Sequence, residues 1–482
     1  MKMRLAILGG LLFALPVHAA RISEITDTDM GSRALRFFTF QDPSLRSALL
    51  GSMLLGICCG LMGAFLVVRK LALMGDALSH AVLPGVALGF LWSMTKDPVA
   101  VFIGATLAGL LGAGTVQLIR NTTKHKEDAA LGFVLASFFG AGICLFTMIQ
   151  NLPGGTKSGL DKFMFGQAAA LGGGDVWLLA GVAGLCVGLV GLLYKEFLVT
   201  SFDAGFARSC GLPVQTLHYA LMLLLAFAIV SALQAVGVVL VSAMLVIPAA
   251  AAFLLTDRFG LMLLLSAVFG MLAGAVGAFF SFVGRNLPTG PFMVLAAALV
   301  FALALFFAPR HGIVARVWRH HARSARIRRE NTLKALYHIL ETDGFRGESV
   351  TARELAQHRR ETLEEASKQI AALKQAGMVS EAGDAVTFTP EGWQRASEIV
   401  RNHRLWELYL THAAQIAPDH VHEDAERIEH VLGEDTVRQL ERRLNYASHD
   451  PHGKEIPGPR EIHPSGMVKA RGRATGFGGR KP

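Results

Sequence analysis

The chain has 482 residues, 52% of them hydrophobic and 17% charged, with 51 glycines and a formal net charge of +9. That apolar load argues against a chain soluble along its whole length and fits helices packed closely in a bilayer, with room for two or three units. Charged residues are sparse up to residue 308 and dense beyond it, which sets the principal boundary and favours a basic, membrane-facing or polyanion-facing C-terminal part.

Residues 1–20, MKMRLAILGGLLFALPVHAA, have the form of a secretory signal, with Lys2 and Arg4 ahead of an apolar run and a small-residue cleavage pattern. The alternative is an uncleaved, short first helix, although the apolar stretch is too short to span. Residues 21–46 then form an extracytoplasmic N-terminal segment. The five cysteines, Cys58, Cys59, Cys144, Cys186 and Cys210, lie in or beside apolar runs without C-x-x-C spacing and read as small packing residues.

From residue 47 the chain offers apolar runs long enough to cross a membrane, near 47–68, 71–95, 98–118, 129–150, 175–194, 216–234, 236–256, 260–282 and 290–308. With the mature N-terminus outside, nine crossings put Arg69, Lys70, the Arg120–Lys126 segment, Lys195, Arg208, Arg258 and everything after Arg310 in the cytoplasm. That is the bias of the positive-inside rule. The expected fold is therefore all-α in its first part, a polytopic membrane domain of eight or nine transmembrane helices over 47–308.

Within the second run, LMGDALSHAVLPG places Asp76 and His80 four residues apart, on one helix face, ahead of Pro84 and Gly85, where the helix is expected to kink. Ionisable side chains in a bilayer are costly and face a partner helix or a watery path. The pair is either structural, satisfied by neighbours, or part of an ion path. A carboxylate with an imidazole suits a divalent first-row metal ion better than a sugar or amino acid. Two ligands from one helix would make a transient station, as an ion in transit requires.

LALMGDALSHAVLPGVALGF closely resembles the signature of the permease subunits of manganese, zinc and iron ABC importers. LVTSFDAGFARSCGLPV (198–214) and VGVVLVSAMLVIPAAAAFLL (236–255) resemble the same family. The resemblance implies that Asp76 and His80 belong to the metal path. It also implies that the loop carrying Phe202, Asp203, Ala207 and Gly211 docks, as a short coupling helix, into a separate ATP-binding subunit. It further implies an extracytoplasmic metal-binding protein and a second permease subunit, the same or a sister chain, in the inner membrane. No phosphate-cradling loop of the G-x-x-x-x-G-K-[ST] form is present. The nearest approach, GGTKS at 154–158, has the wrong spacing, so the chain is not expected to be an enzyme or to hold ATP.

Residues 309–330 hold seven arginines against one glutamate, a basic linker suited to anionic lipid headgroups. Over 331–392, NTLKALYHILE places Leu333, Leu336, Tyr337 and Leu340 on one face, Thr351 opens a second helix as N-cap, and a third ends at Gly377. SEAGDAVTFTPEG then reads as a hairpin wing. Helix, helix, helix and wing is a winged helix-turn-helix.

Over 393–457, His403 and Glu407 fall four residues apart, and His422, Glu426, Glu429 and His430 lie on one helical stripe. Such a stripe is either a solvated charged face or a set of metal ligands, and without thiolates it favours manganese or ferrous iron. HRLWE, VHEDAERIEH and HDPHGKEIP resemble the metal-dependent repressors of the diphtheria-toxin-repressor and manganese-transport-regulator type. That resemblance implies that His403, Glu407, His422, Glu426, Glu429 and His430 are metal ligands. Glu426 stands where iron-type members carry Cys, as in the manganese-type branch. The first helix departs from the pattern: Asn331 and Lys334 stand at the places of an acidic ligand pair.

Glu361, Glu364 and Glu365 near the start of the third helix oppose DNA contact, partly offset by Arg359, Arg360 and Lys368. Residues 458–482 are Gly-rich and basic, a tail expected to be disordered. Two functions fit the whole: a metal permease gated by its own cytoplasmic metal sensor, or a metal permease fused to a repressor of uptake genes that binds DNA.

Overall fold

The computed structural model describes Phe37 and residues 43–93, 97–124, 127–151, 166, 171–284, 287–413, 415, 421, 426, 428 and 433–458. The expected signal segment, nearly all of 21–42, the GGTKS stretch and residues 459–482 lie outside the described residues. The chain divides into two units, Met1–Arg316 and Val317–Pro482.

With no water in a bilayer to take up peptide N–H and C=O groups, an apolar run must close its hydrogen bonds within itself. The first unit accordingly folds as helices: α1 (Pro43–Val68), α2 (Ala72–Ala81), α3 (Leu83–Ser93), α4 (Pro98–Thr122), α5 (Glu127–Gln150), α6 (Gly173–Leu192), α7 (Tyr194–Phe202), α8 (Ala204–Ser209), α9 (Val214–Val236), α10 (Val238–Leu255), α11 (Phe259–Val283) and α12 (Thr289–Phe307). Among the described residues these supply nine stretches long and apolar enough to cross a membrane, α2 and α3 together making one of them, Ala72–Ser93. They coincide with the nine runs read from the sequence to within a few residues. The break between the runs read at 216–234 and 236–256 falls at Gly237, whose φ of 84° suits glycine. Asp97 caps α4 by accepting from the Val99 N–H at 3.1 Å, ahead of Pro98.

The centre of this unit is a backbone-to-backbone crossing of α1 and α11. Ser52, Gly56 and Gly60 on one helix meet Ser266, Gly270 and Gly274 on the other, each series spaced by four. A Cβ on Gly56 would lie 2.0 Å from the Gly270 carbonyl oxygen, and one on Gly270 would lie 2.0 Å from that of Gly56. The Ser266 hydroxyl donates to the Gly60 carbonyl at 2.5 Å. Gly63 meets the Leu245 carbonyl of α10 in the same way, and Gly85 of α3 meets Gly104 of α4.

In the second unit α13 (Ile313–Thr342) is one helix of 30 residues that begins before the boundary and takes in most of the segment expected as a basic linker. β1 (Ser349–Thr351), α14 (Ala352–Arg359), α15 (Leu363–Gln375), β2 (Val379–Ala382) and β3 (Ala385–Phe388) follow, then α16 (Pro390–Ala413) and α17 (Glu434–Arg443). The antiparallel sheet has the order β1-β3-β2, with a tight turn at Gly383 and Asp384. This is a winged helix. Thr351 closes a capping box with Glu354, as its position predicts, and Thr362 does so with Glu365. Leu333, Leu336, Tyr337 and Leu340 pack with Leu355, Ile370, Leu373, Val386 and Val400 into the core of this unit.

Replacing Gly56 by Ala must force α1 and α11 apart, a strain of roughly 1–3 kcal/mol. The melting temperature in detergent should fall for Gly56→Ala and hold for Gly132→Ala, whose Cβ would meet nothing within 4 Å. Equal behaviour of the two variants would remove this crossing from the centre of the fold.

Candidate functional site

Asp76 and His80 sit on α2, whose other faces bury Met74, Gly75, Ala77, Leu78, Ser79 and Ala81. The pair is left on the partly open stripe, with side chains 36% and 16% exposed. His80 Nε2 lies 3.8 Å from Asp76 Oδ1, so the two face each other without a hydrogen bond. The imidazole is steered by an edge-to-face contact with Phe139 of α5, ring centroids 5.0 Å apart. Its Nδ1 is buried and has no hydrogen-bond partner. A buried nitrogen left unpaired is costly unless it has work as a ligand or proton carrier. The expected kink is a break between α2 and α3 at Val82. Its cause is Pro84, which lacks the N–H that would have closed on the His80 carbonyl.

The second group is the turn after α7. Asp203 is the N-cap of α8, its Oδ1 accepting from the Phe206 N–H at 2.9 Å. Ala207 is fully buried and its carbonyl accepts from the Leu212 N–H at 3.0 Å. Gly211 has φ of 78°, which ends the helix and sends the chain into α9. Phe202 and Phe206 are left 65% and 57% exposed. Of these, Phe206 escaped the sequence reading, since residue type alone does not disclose that its ring is left exposed on α8. Arg69, between α1 and α2, was missed too. It donates to Ser201 Oγ at 3.0 Å and to Thr200 Oγ1 at 3.4 Å, and lies 3.4 Å from His218 Nδ1 of α9. With Arg120 and Arg208 it lines a basic cavity of about 490 Å³. The start of the helix that carries Asp76 and His80 is thus tied to the root of the exposed turn.

In the second unit His403, Glu407 and Lys334 are brought together, all at most 7% exposed. Lys334 Nζ of α13 lies 3.0 Å from His403 Nδ1, and His403 Nε2 lies 3.1 Å from Glu407 Oε1. Glu426 is exposed. His422, Glu429 and His430 lie outside the described residues. Among the described residues no group of three or more His, Cys, Asp or Glu is placed to hold a metal. Glu330, next to Asn331, is buried but engaged by Arg395 at 2.5 Å and Arg326 at 2.9 Å. As placed, the His403 ring is turned to Lys334 on one side and to Glu407 on the other.

A bundle of membrane-crossing helices with a capped, exposed turn, joined in one chain to a winged helix, defines a permease with a regulator-type unit. The chain belongs to the ABC 3 transport family, whose model matches residues 41–308. Residues 389–458 match the iron dependent repressor, metal binding and dimerisation domain. The chain is 37% identical over 378 residues to the manganese transport system membrane protein MntC of Bacillus subtilis, covering 78% of this chain and 86% of that one. It is 31% identical over 440 residues to a probable metal transport system membrane protein of Chlamydia trachomatis, covering 87% and 97%. The solved structure of PsaBC from Streptococcus pneumoniae in complex with Fab superposes with a TM-score of 0.52 at 37% identity, over 57% of this chain and 97% of that one.

The regulator-type unit is built to be acid-sensitive. Burial alone would raise the Glu341 carboxyl, but hydrogen bonds from His338 and Arg404 and their charge override it and take it down from 4.5 to about 2. His338 is held below its ordinary 6.5, chiefly by burial. Both groups bind protons more readily when unfolded, so the stability they give is present at neutral pH. It begins to fall below about pH 6.5 with His338 and falls further from about 4.5 down to about 2 with Glu341. The protection factors of α13 and α16, corrected for the intrinsic slowing of amide exchange in acid, should therefore fall on acidification through that window. Glu341→Gln should be less protected at neutral pH and flatter in its pH dependence, whereas an unchanged profile would exclude this pair as the acid-labile contact.

Proposed function

We propose that this chain is the membrane subunit of an ATP-driven importer of a divalent transition metal, manganese, ferrous iron or zinc, with Asp76 and His80 as a station on the ion's path. What carries the reading is the unpartnered His80 Nδ1 beside a carboxylate that does not hydrogen-bond the ring, inside a span of the permease family. A carboxylate oxygen and an imidazole nitrogen replace part of a dication's water shell, and too few of them to trap it. The metal is the cargo, delivered by an extracytoplasmic binding protein and passed along an interface with a second permease subunit. ATP is hydrolysed by a separate subunit that takes Phe202 and Phe206 of the capped turn into its surface. Arg69 then passes that subunit's movement to α2 through Ser201 and Thr200. In this reading the second unit is cytoplasmic and answers to imported metal through His422, Glu426, Glu429 and His430, restraining transport as metal accumulates.

Asp76→Ala combined with His80→Ala should abolish uptake of radiolabelled manganese in cells, with normal insertion of the protein in the membrane. Undiminished uptake would refute the assignment of the path.

A second reading, repression of uptake genes through DNA, has support from the winged helix. The glutamates at the start of α15 are tied down locally. Glu365 caps its own helix, Glu364 pairs with Lys368 at 2.6 Å and Glu361 pairs with Arg359 at 3.0 Å. Arg328, Arg329 and Lys368 meanwhile line a cavity of about 380 Å³. Under this reading the full chain in nanodiscs protects a specific stretch of its own promoter region from nuclease in the presence of manganese and releases it to chelator. A promoter cut evenly under both conditions would leave only the gating role.

A further inference from the structure

The departure at Lys334 is more than a weakened ligand position. Its side chain is 7% exposed, and its ammonium lies 3.0 Å from His403 Nδ1. An ammonium has only protons to give, so Nδ1 is the acceptor and its lone pair is taken. The neutral ring then carries its proton on Nε2 and donates it to Glu407 Oε1, 3.1 Å away. Lysine, histidine and glutamate form a relay from a positive to a negative charge, with His403 and Glu407 only 3% and 2% exposed.

A dication at this place would need the nitrogen lone pair and the carboxylate that the relay uses, and would lie against a buried like charge. The same relay does what a bound ion does mechanically. It joins α13 to α16 across 69 positions of sequence and sets a buried positive charge one imidazole ring away from the Glu407 carboxylate.

We infer that Lys334 is a built-in cation standing in place of a divalent ion, so that in this unit α13 and α16 are locked together without metal and His403 and Glu407 are not metal ligands. The inference rests on the geometry of the second unit and is independent of the transport reading. Any metal response of the unit falls to ligands elsewhere.

The test uses the full chain in detergent, stripped with chelator, carrying Asp76→Ala and His80→Ala so that the permease span adds no ion. The probe is Mn²⁺, followed by equilibrium dialysis with metal analysis. His403→Ala should leave the number of bound ions unchanged. Lys334→Glu should gain an ion per chain and lose it again when His403→Ala is added. Loss of an ion from the Lys334 protein on His403→Ala would overturn the inference, as would a folded Lys334→Glu chain that gains none.

Thermal unfolding gives a second reading that survives a poorly folded variant. Lys334→Met removes the ammonium from His403 Nδ1 and frees that lone pair, so it should melt lower and be raised by Mn²⁺ more than the Lys334 protein is. A larger rise for the Lys334 protein would mean that metal already sits at His403 and Glu407, and the built-in cation would be excluded.

Discussion

The membrane unit depends on how closely two helices can approach when neither has a side chain in the way. Between helices in lipid there is no gain from hiding apolar surface, because the tails are as apolar as leucine, so close packing and interhelical hydrogen bonds must hold them. The crossing of α1 and α11 meets that demand with glycine against glycine and a serine hydroxyl on a facing carbonyl. α1 also meets α10 through Gly63, which sets a second neighbour at the same close range. With these helices fixed, α2 is seated against α5 and α10, and the stripe bearing Asp76 and His80 is left partly open.

The two polar groups in the membrane unit and the relay in the second unit show opposite treatments of a histidine beside a carboxylate. In α2 the ring and the acid stand too far apart to satisfy each other, and one ring nitrogen has no partner. In α16 the same four-residue spacing is closed to hydrogen-bond distance and the other ring nitrogen is taken by lysine. Spacing alone therefore does not decide whether such a pair is reactive. The difference between the two lies in the third side chain, an aromatic ring at His80 and a hydrogen-bonding lysine at His403.

Helix existence was legible because long apolar runs have one solution in a bilayer, and the wing was legible from Gly383 between two short β-prone runs. The capping roles of Thr351 and Asp203 follow from residue type and position. What sequence periodicity could not disclose is contact across distance. Arg69 reaches Ser201 over 132 positions, and Lys334 reaches His403 over 69. The break at Val82 was anticipated from Pro84, but the steering of His80 by Phe139 was not, because nothing local links the two.

One side chain of the second unit governs how that unit comes apart. Arg404, 2% exposed, holds Glu341 at 2.6 and 2.8 Å, the Glu455 carbonyl at 2.5 Å and, more loosely, Asp450 at 3.6 Å. Peeling away the closing turn around residues 448–456 would strip this guanidinium of the Glu455 carbonyl and the Asp450 carboxylate together. Fraying from that end is therefore suppressed, and the turn and the helix pair behind it form a single cooperative block that yields all at once.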